Sequence, residues 1–201
     1  GLTEATQCVT ILTPEDHRRA TTDSPELLLS CGKPVAQTSV RILVNGEFDD
    51  TPHRVGEVVV SGPQVMRGYW KRPKETADTF HDGWLRTGDV GYLDTQGYLY
   101  ITDRLKDLVI SAGENVYTPR VEDIIRAYPA VREVAVIGLP HPKWGETVHA
   151  VIALHPAWNP SPQLAREIVE HCRRYLGGFE IPRSIEFVDQ LPKTATGKIL
   201  K

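Results

Sequence analysis

Asp103-Arg104-Leu105-Lys106-Asp107-Leu108-Val109-Ile110-Ser111-Ala112-Gly113-Glu114-Asn115 lies near the middle of the 201-residue chain. A charge cluster, three apolar residues and a small-residue turn read as a polar joint, a short strand and a tight loop. In isolation this is equally a surface hairpin between domains. The sequence on its two sides differs in character, and that difference decides the fold class.

Before the joint lie short apolar runs separated by turn signals. Cys8–Leu12 reads as a strand. Residues 13–30, rich in Thr, Pro, Asp and Ser, read as a loop without a helix. Ser39–Val44 followed by Asn45-Gly46 reads as a strand entering a hairpin. Gly56–Gly62, with its β-branched centre, suits a half-buried strand. Pro73–Phe80 predicts a short helix, and Tyr98–Ile101 a strand running up to the joint. This spacing over residues 8–102 predicts a small barrel or sandwich.

Past the joint, Thr118 reads as an N-cap with Pro119 as first helical residue. Val121, Ile124, Ile125 and Tyr128 then share one face. Arg132–Gly138 and Thr147–Leu154 read as strands joined by a loop, Leu139–Glu146. Ser161-Pro162 opens a second helix with the stripe Leu164, Ile168, Cys172 and Tyr175, stopped by Gly177-Gly178. Ser184–Val188 is a last strand, and Pro192–Lys198 a loop with no evident core role. The expected fold class is mixed α+β, a small β-barrel-like part and then a small α+β domain with a short central sheet and flanking helices.

Composition is that of an ordinary soluble globular protein, with 40% hydrophobic and 24% charged residues. A net charge of -3 gives no electrostatic reason to expect nucleic acid. No apolar run approaches a membrane span. The cysteines, Cys8, Cys31 and Cys172, are scattered, show no metal-ligand spacing and read as small, partly buried residues of a reducing compartment. Both ends read as cut, so a truncated fragment is expected.

Four stretches carry candidate chemistry: Gly1-Leu2-Thr3-Glu4, Arg86-Thr87-Gly88-Asp89, the central joint and turn, and Pro192–Lys198. Singly, Thr-Gly-Asp is a turn, Thr-Gly-Lys a solvated loop and Thr-Glu nothing in particular. In this order, together with Gly56–Trp70 and Asn115–Glu122, they resemble the adenylate-forming enzymes: acyl-CoA synthetases, peptide-synthetase adenylation domains and luciferases. The whole chain resembles the C-terminal portion of such an enzyme. The resemblance implies a boundary giving 1–102 to the end of a large AMP-binding domain and 103–201 to a mobile C-terminal domain. Asp103 matches the hinge.

The implied reaction joins a carboxylic acid to the α-phosphate of ATP and then passes the acyl group to a thiol, usually that of coenzyme A. Thr3 matches the phosphate-contacting threonine and Glu4 the Mg²⁺ carboxylate, a hard oxygen ligand. Asp89 and Arg104 match the ribose ligands, the carboxylate offering several acceptor sites to two hydroxyls. Lys198 matches the catalytic lysine, whose flexible cation follows developing charge; Lys193 lies nearby without matching. Gly113 matches the glycine of the pantetheine channel. Trp144, Phe179 and Arg183 fall where some relatives hold the CoA nucleotide, with aromatic packing and a solvated arginine as the alternative. Ile181 stands where a basic residue is found in a relative.

The run Asp103–Tyr117 resembles the CoA-ligase branch, and Pro192–Lys201 most resembles medium- and long-chain fatty-acid CoA ligases. A carrier-protein-acylating adenylation domain and a stand-alone CoA- or partner-binding module are the alternatives. The fragment by itself is expected to be inactive and open to self-association. The expected location is cytoplasmic, with peripheral membrane attachment left open.

Overall fold

The protein is described here from a computed structural model covering Gly1–Lys201. It divides into two compact units, Gly1–Leu105 and Lys106–Lys201. No helix is long and apolar enough to cross a membrane.

The first unit contains strands β1 (Thr10–Ile11), β2 (Lys33–Pro34), β3 (Ser39–Val44), β4 (Glu47–Phe48), β5 (Gly56–Ser61), β6 (Phe80–His81), β7 (Trp84–Leu93) and β8 (Leu99–Arg104). Helices α1 (Pro14–Thr22) and α2 (Pro73–Thr79) interrupt them. β1 and β2 form a small antiparallel ribbon. The other six make one antiparallel sheet in the order β4-β3-β5-β7-β6, with β8 also on β7. No pairing joins its two edges, so the barrel-like expectation is realised as a half-barrel. Asn45 and Gly46 both adopt positive φ, as a two-residue hairpin turn between β3 and β4 demands.

Central β5 is not half-buried as its sequence suggested. Glu57, Val58, Val59 and Val60 are all buried, because strands flank it and side chains cover both faces. Ile42, Val58, Val60, Leu85 and Leu99 form the main core of this unit.

The largest correction is at residues 13–30. The stretch expected to be a loop contains α1 and a 3₁₀ turn, Pro25–Leu29. Thr13 is the N-cap of α1: its hydroxyl accepts from the Asp16 amide at 3.2 Å, and Asp16 accepts from the Thr13 amide at 2.9 Å. Pro14 occupies the first turn. The composition that resembled a loop is a reciprocal capping box with its proline. Buried Tyr98 donates its phenol to Asp16 and so pins the helix to the sheet.

In the second unit the strands are β9 (Val109–Ser111), β10 (Glu114–Val116), β11 (Val131–His141), β12 (Gly145–Leu154) and β13 (Ser184–Val188). The helices are α3 (Thr118–Arg126) and α4 (Pro162–Arg173). The sheet runs β10-β9-β12-β11, with β13 parallel to β12. Alternate residues Val148, Ala150 and Ile152 of β12 join Val121 and Ile125 of α3 and Leu164, Ile168 and Cys172 of α4 in one core.

Three element boundaries differ from expectation. Tyr117, not Thr118, is the N-cap of α3. The loop expected over 139–146 shrinks to Pro142–Trp144, because β11 and β12 pair as far as His141 and Gly145. Helix α4 ends at Arg173, ahead of the glycine pair; Tyr175 is exposed and Leu176 is buried in its stead. Cys8 and Cys31 are exposed, while Cys172 is buried and its thiol pushed up to about 11.

The Asp16 carboxyl is pulled down to about 2, chiefly by the Thr13 hydroxyl and then by Tyr98. A carboxylate held below its unfolded value adds stability above that value and loses it as pH falls toward the folded one. Thermal melts should therefore show Asp16→Asn less stable than the parent at neutral pH, with the gap closing between about pH 4 and about pH 2. Thr13→Ala should cost about 1 kcal/mol at neutral pH.

Candidate functional site

In the first unit the candidate site is built by a bulge. Between paired Val59↔Arg86 and Glu57↔Val90, β5 supplies only Val58 while β7 supplies Thr87, Gly88 and Asp89. The extra residues are held firmly. The Thr87 hydroxyl donates to the Val58 carbonyl at 2.7 Å and accepts from the Asp89 amide at 3.1 Å. Gly88 takes φ +72°, which favours glycine. Buried Glu57 accepts from the Gly88 amide at 3.3 Å and from Arg86 Nε at 2.9 Å. The Gly88 carbonyl accepts from the Leu105 amide at 2.8 Å, tying in the end of β8.

The bulge displays Asp89. Its partner across the strand pair is Arg104, whose Nε lies 3.5 Å from the carboxylate. Burial raises the Asp89 carboxyl above its usual range, against the pull of Arg104. A small cavity of about 50 Å³ opens beside Asp89 and Thr87, with Gly1, Leu2, Val58 and Cys31 also in its wall. A half-buried acceptor beside a guanidinium is suited to a polar ligand with paired hydroxyls. Asp103, buried, accepts from the Arg104 amide at 2.7 Å.

Thr3 and Glu4 sit in a 3₁₀ turn and do not line that cavity. The Glu4 carbonyl accepts from the Met66 amide at 2.7 Å, and its carboxylate accepts from the Tyr69 phenol at 2.9 Å. No cluster of three or more His, Cys, Asp or Glu could hold a metal by itself. A single carboxylate with one oxygen unengaged fits Mg²⁺, which takes most of its ligands from water and phosphate.

The second unit carries two separate candidate elements. Ala112 and Gly113, at φ +55° and +85°, make the two-residue turn between β9 and β10. The Ala112 amide donates to the Trp144 carbonyl at 2.9 Å, which anchors this turn to the β11–β12 hairpin. A Cβ on Gly113 would meet nothing within 4 Å, so the turn requires glycine for its backbone and leaves the space beside it open. Trp144 stacks on His141 with centroids 4.3 Å apart, and the Arg183 guanidinium lies 4.1 Å from the same ring centre. The Lys143 ammonium lies 5.6 Å from that centre as well. Phe179 is partly exposed, and Ile181 packs against the core.

The other element is the loop ending in Lys198. Its backbone closes a small hairpin: the Thr194 amide donates to the Lys198 carbonyl at 2.8 Å and the Lys198 amide to the Thr194 hydroxyl at 3.1 Å. Gly197 has φ +83°. The segment's three lysines differ in one respect. Lys193 pairs with Glu133 and Lys201 with Glu122, whereas the Lys198 ammonium is exposed and has no carboxylate partner. Only Lys198 offers an uncommitted cation. Glu57, Arg86 and Lys201 lie within the stretches quoted above but carried no role of their own there; for Glu57, a charged residue next to the valine run of β5 was the available signal.

Two family models match this chain. The AMP-binding enzyme model covers residues 1–70, and the AMP-binding enzyme C-terminal domain model covers residues 120–198. The chain is 43% identical over all its 201 residues to a feruloyl-CoA synthase of Amycolatopsis, covering 39% of that protein. It is 46% identical over 149 residues, 74% of the chain, to a long-chain-fatty-acid–CoA ligase of Mycobacterium tuberculosis, covering 29% of it. Among solved structures, the o-succinylbenzoate CoA synthetase of Bacillus subtilis bound to its acyl-adenylate superposes with TM-score 0.84 at 37% identity, over 99% of this chain and 38% of that one. The chain belongs to the AMP-binding, adenylate-forming enzyme family. The three relatives named above are CoA ligases, synthases or synthetases by name, while an amide bond synthetase of Marinactinospora thermotolerans also matches with TM-score 0.78 at 40% identity, over 95% of this chain and 38% of that one. The chain spans about two fifths of the length of the feruloyl-CoA synthase.

Residue 112 is alanine where the turn holds the left-handed conformation. Ala112→Gly should therefore raise stability by roughly 0.5–1 kcal/mol, and Gly113→Ala should lower it by roughly 1–2 kcal/mol, in chemical denaturation.

Proposed function

We propose that this chain is the adenylate-handling end of an ATP-dependent acyl-CoA ligase, which activates a carboxylic acid as its acyl-adenylate and transfers the acyl group to coenzyme A. The observation that supports this most directly is the Asp89–Arg104 pair on the braced bulge, a shaped acceptor–donor couple for ribose. Partial burial of Asp89 strengthens the hydrogen bonds its carboxylate accepts, while Arg104 remains largely exposed.

The roles follow from chemistry. Lys198, uncommitted within the protein, is assigned to the charge that develops when the carboxylate meets the α-phosphate. Thr3 is assigned to a phosphate oxygen and Glu4 to Mg²⁺. When bound, that ion would neutralise phosphate charge. Gly113 is assigned to the thiol arm of CoA, where the open space beside it admits a narrow chain. Phe179, Trp144 and Arg183 are assigned to the CoA nucleotide; a base stacking on Trp144 would displace His141 or Arg183. Asp103 is the proposed pivot about which residues 106–201 turn between the two half-reactions.

The acyl substrate is proposed to be a medium- or long-chain fatty acid. The kinship of Pro192–Lys201 and the match to a long-chain-fatty-acid–CoA ligase support this; the match to a feruloyl-CoA synthase supports an aromatic acid instead. Turnover by the full-length enzyme with palmitate against ferulate separates the two.

The 201 residues alone are proposed to be inactive. Purified chain should show no ATP–pyrophosphate exchange, and robust exchange would overturn this. In the full-length enzyme, Lys198→Ala should slow adenylation by on the order of 100-fold or more while leaving thioester formation from supplied acyl-adenylate nearly intact. Equal loss in both half-reactions would refute the assignment.

A further inference from the structure

The proposed catalytic cation Lys198 sits in a loop that is fixed on both sides by other lysines. Before it, Lys193 pairs with Glu133 of β11, and residues 193 and 199 form an isolated antiparallel bridge. The Leu200 amide then donates to the Pro192 carbonyl at 2.9 Å. After it, Lys201 reaches helix α3. Its ammonium lies 2.6 Å from Glu122 Oε1 and donates to the Thr118 hydroxyl at 2.7 Å.

This second attachment is well built. The Lys201 side chain is 16% exposed and that of Glu122 is 11% exposed. Glu122 Oε1 also accepts from the Val136 amide at 2.8 Å, so the carboxylate is locked between α3 and β11. A buried carboxylate of this kind needs its counter-ion, and removing one partner leaves an uncompensated charge. The sheet packs against the same face of α3 that supplies Val121 and Ile125 to the core. A lysine side chain is flexible, and its head is placed only as well as the backbone beneath it.

We infer that Lys201 is a positioning residue for Lys198: its ion pair with Glu122 and hydrogen bond to Thr118 fix the catalytic loop to the frame of α3 and β11. This rests on the assignment of Lys198 above. Lys201 touches no reacting atom in this role. Misplacement of a catalytic group by about 1 Å costs up to roughly 100-fold in rate. The clamp should therefore be felt in the step that uses Lys198 and not in the other.

The test is made in the full-length enzyme with Lys201→Met, Lys201→Arg and Glu122→Gln, beside Lys198→Ala. Both half-reactions and the melting temperature are measured for each. Lys201→Met and Glu122→Gln should lower kcat for adenylation by about 10- to 100-fold with little change in the KM for ATP. Thioester formation from supplied acyl-adenylate should stay within about twofold of the parent. Lys201→Arg, which keeps the charge, should recover most of the lost rate. The proposal is overturned if Lys201→Met adenylates normally while Lys198→Ala does not. It is equally overturned if Lys201→Met depresses both half-reactions together with the melting temperature, as a purely structural residue would. If Lys198→Ala itself adenylates normally, the reading of Lys198 is what fails, and the clamp as a positioning device falls with it.

Discussion

Glu57 is a buried carboxylate near the start of a valine-rich strand, and the first unit's candidate site depends on what it holds. A charge there is tolerated because Arg86 and the Gly88 amide satisfy it. Those two contacts sit on either side of Thr87, where β7 leaves regular pairing. The bulge is thus a fixed feature, with the strand's hydrogen bonding redirected to a side chain. Asp89 projects from it opposite Arg104, and the strain of Gly88 is absorbed by a residue without a Cβ. Shape and electrostatics come from one arrangement.

The second unit uses the same device differently. Its core is apolar and comes from alternating strand positions and helical stripes. Charge enters at its margins, where Glu122 and Glu133 receive Lys201 and Lys193 and Glu180 receives Arg120. Two ion pairs hold the loop's backbone and leave Lys198 between them unpartnered. Within this one segment, the paired lysines and the unpaired one are told apart by what their ammonium groups touch.

The Ala112-Gly113 turn and the Lys198 loop attach at different places on the second unit, with β11 common to both. The first hangs from the β11–β12 hairpin through the Trp144 carbonyl, and the second from α3 and β11. The stacked His141–Trp144–Arg183 group stiffens the hairpin that carries the first of these.

The sequence alone determined the strands flanked by turn dipeptides and the apolar stripes of α3 and most of α4. These depend on local periodicity and on residues such as Asn45-Gly46 with one conformational use. It also exposed the family through the order of short stretches, and Asp89, Arg104, Gly113 and Lys198 as candidates. It misled at α1, where capping residues share their composition with loops, and at the β11–β12 hairpin, whose length is set by pairing rather than by propensity. Only the tertiary structure decided that Glu57 braces the bulge, that Lys201 grips Glu122, and that Trp144 packs with His141 and Arg183. Those are contacts between residues distant in the chain, and a side chain's partner in space leaves no period in its own sequence. What distinguishes Lys198 from its two neighbouring lysines is likewise an absence of partners, which only the folded chain displays.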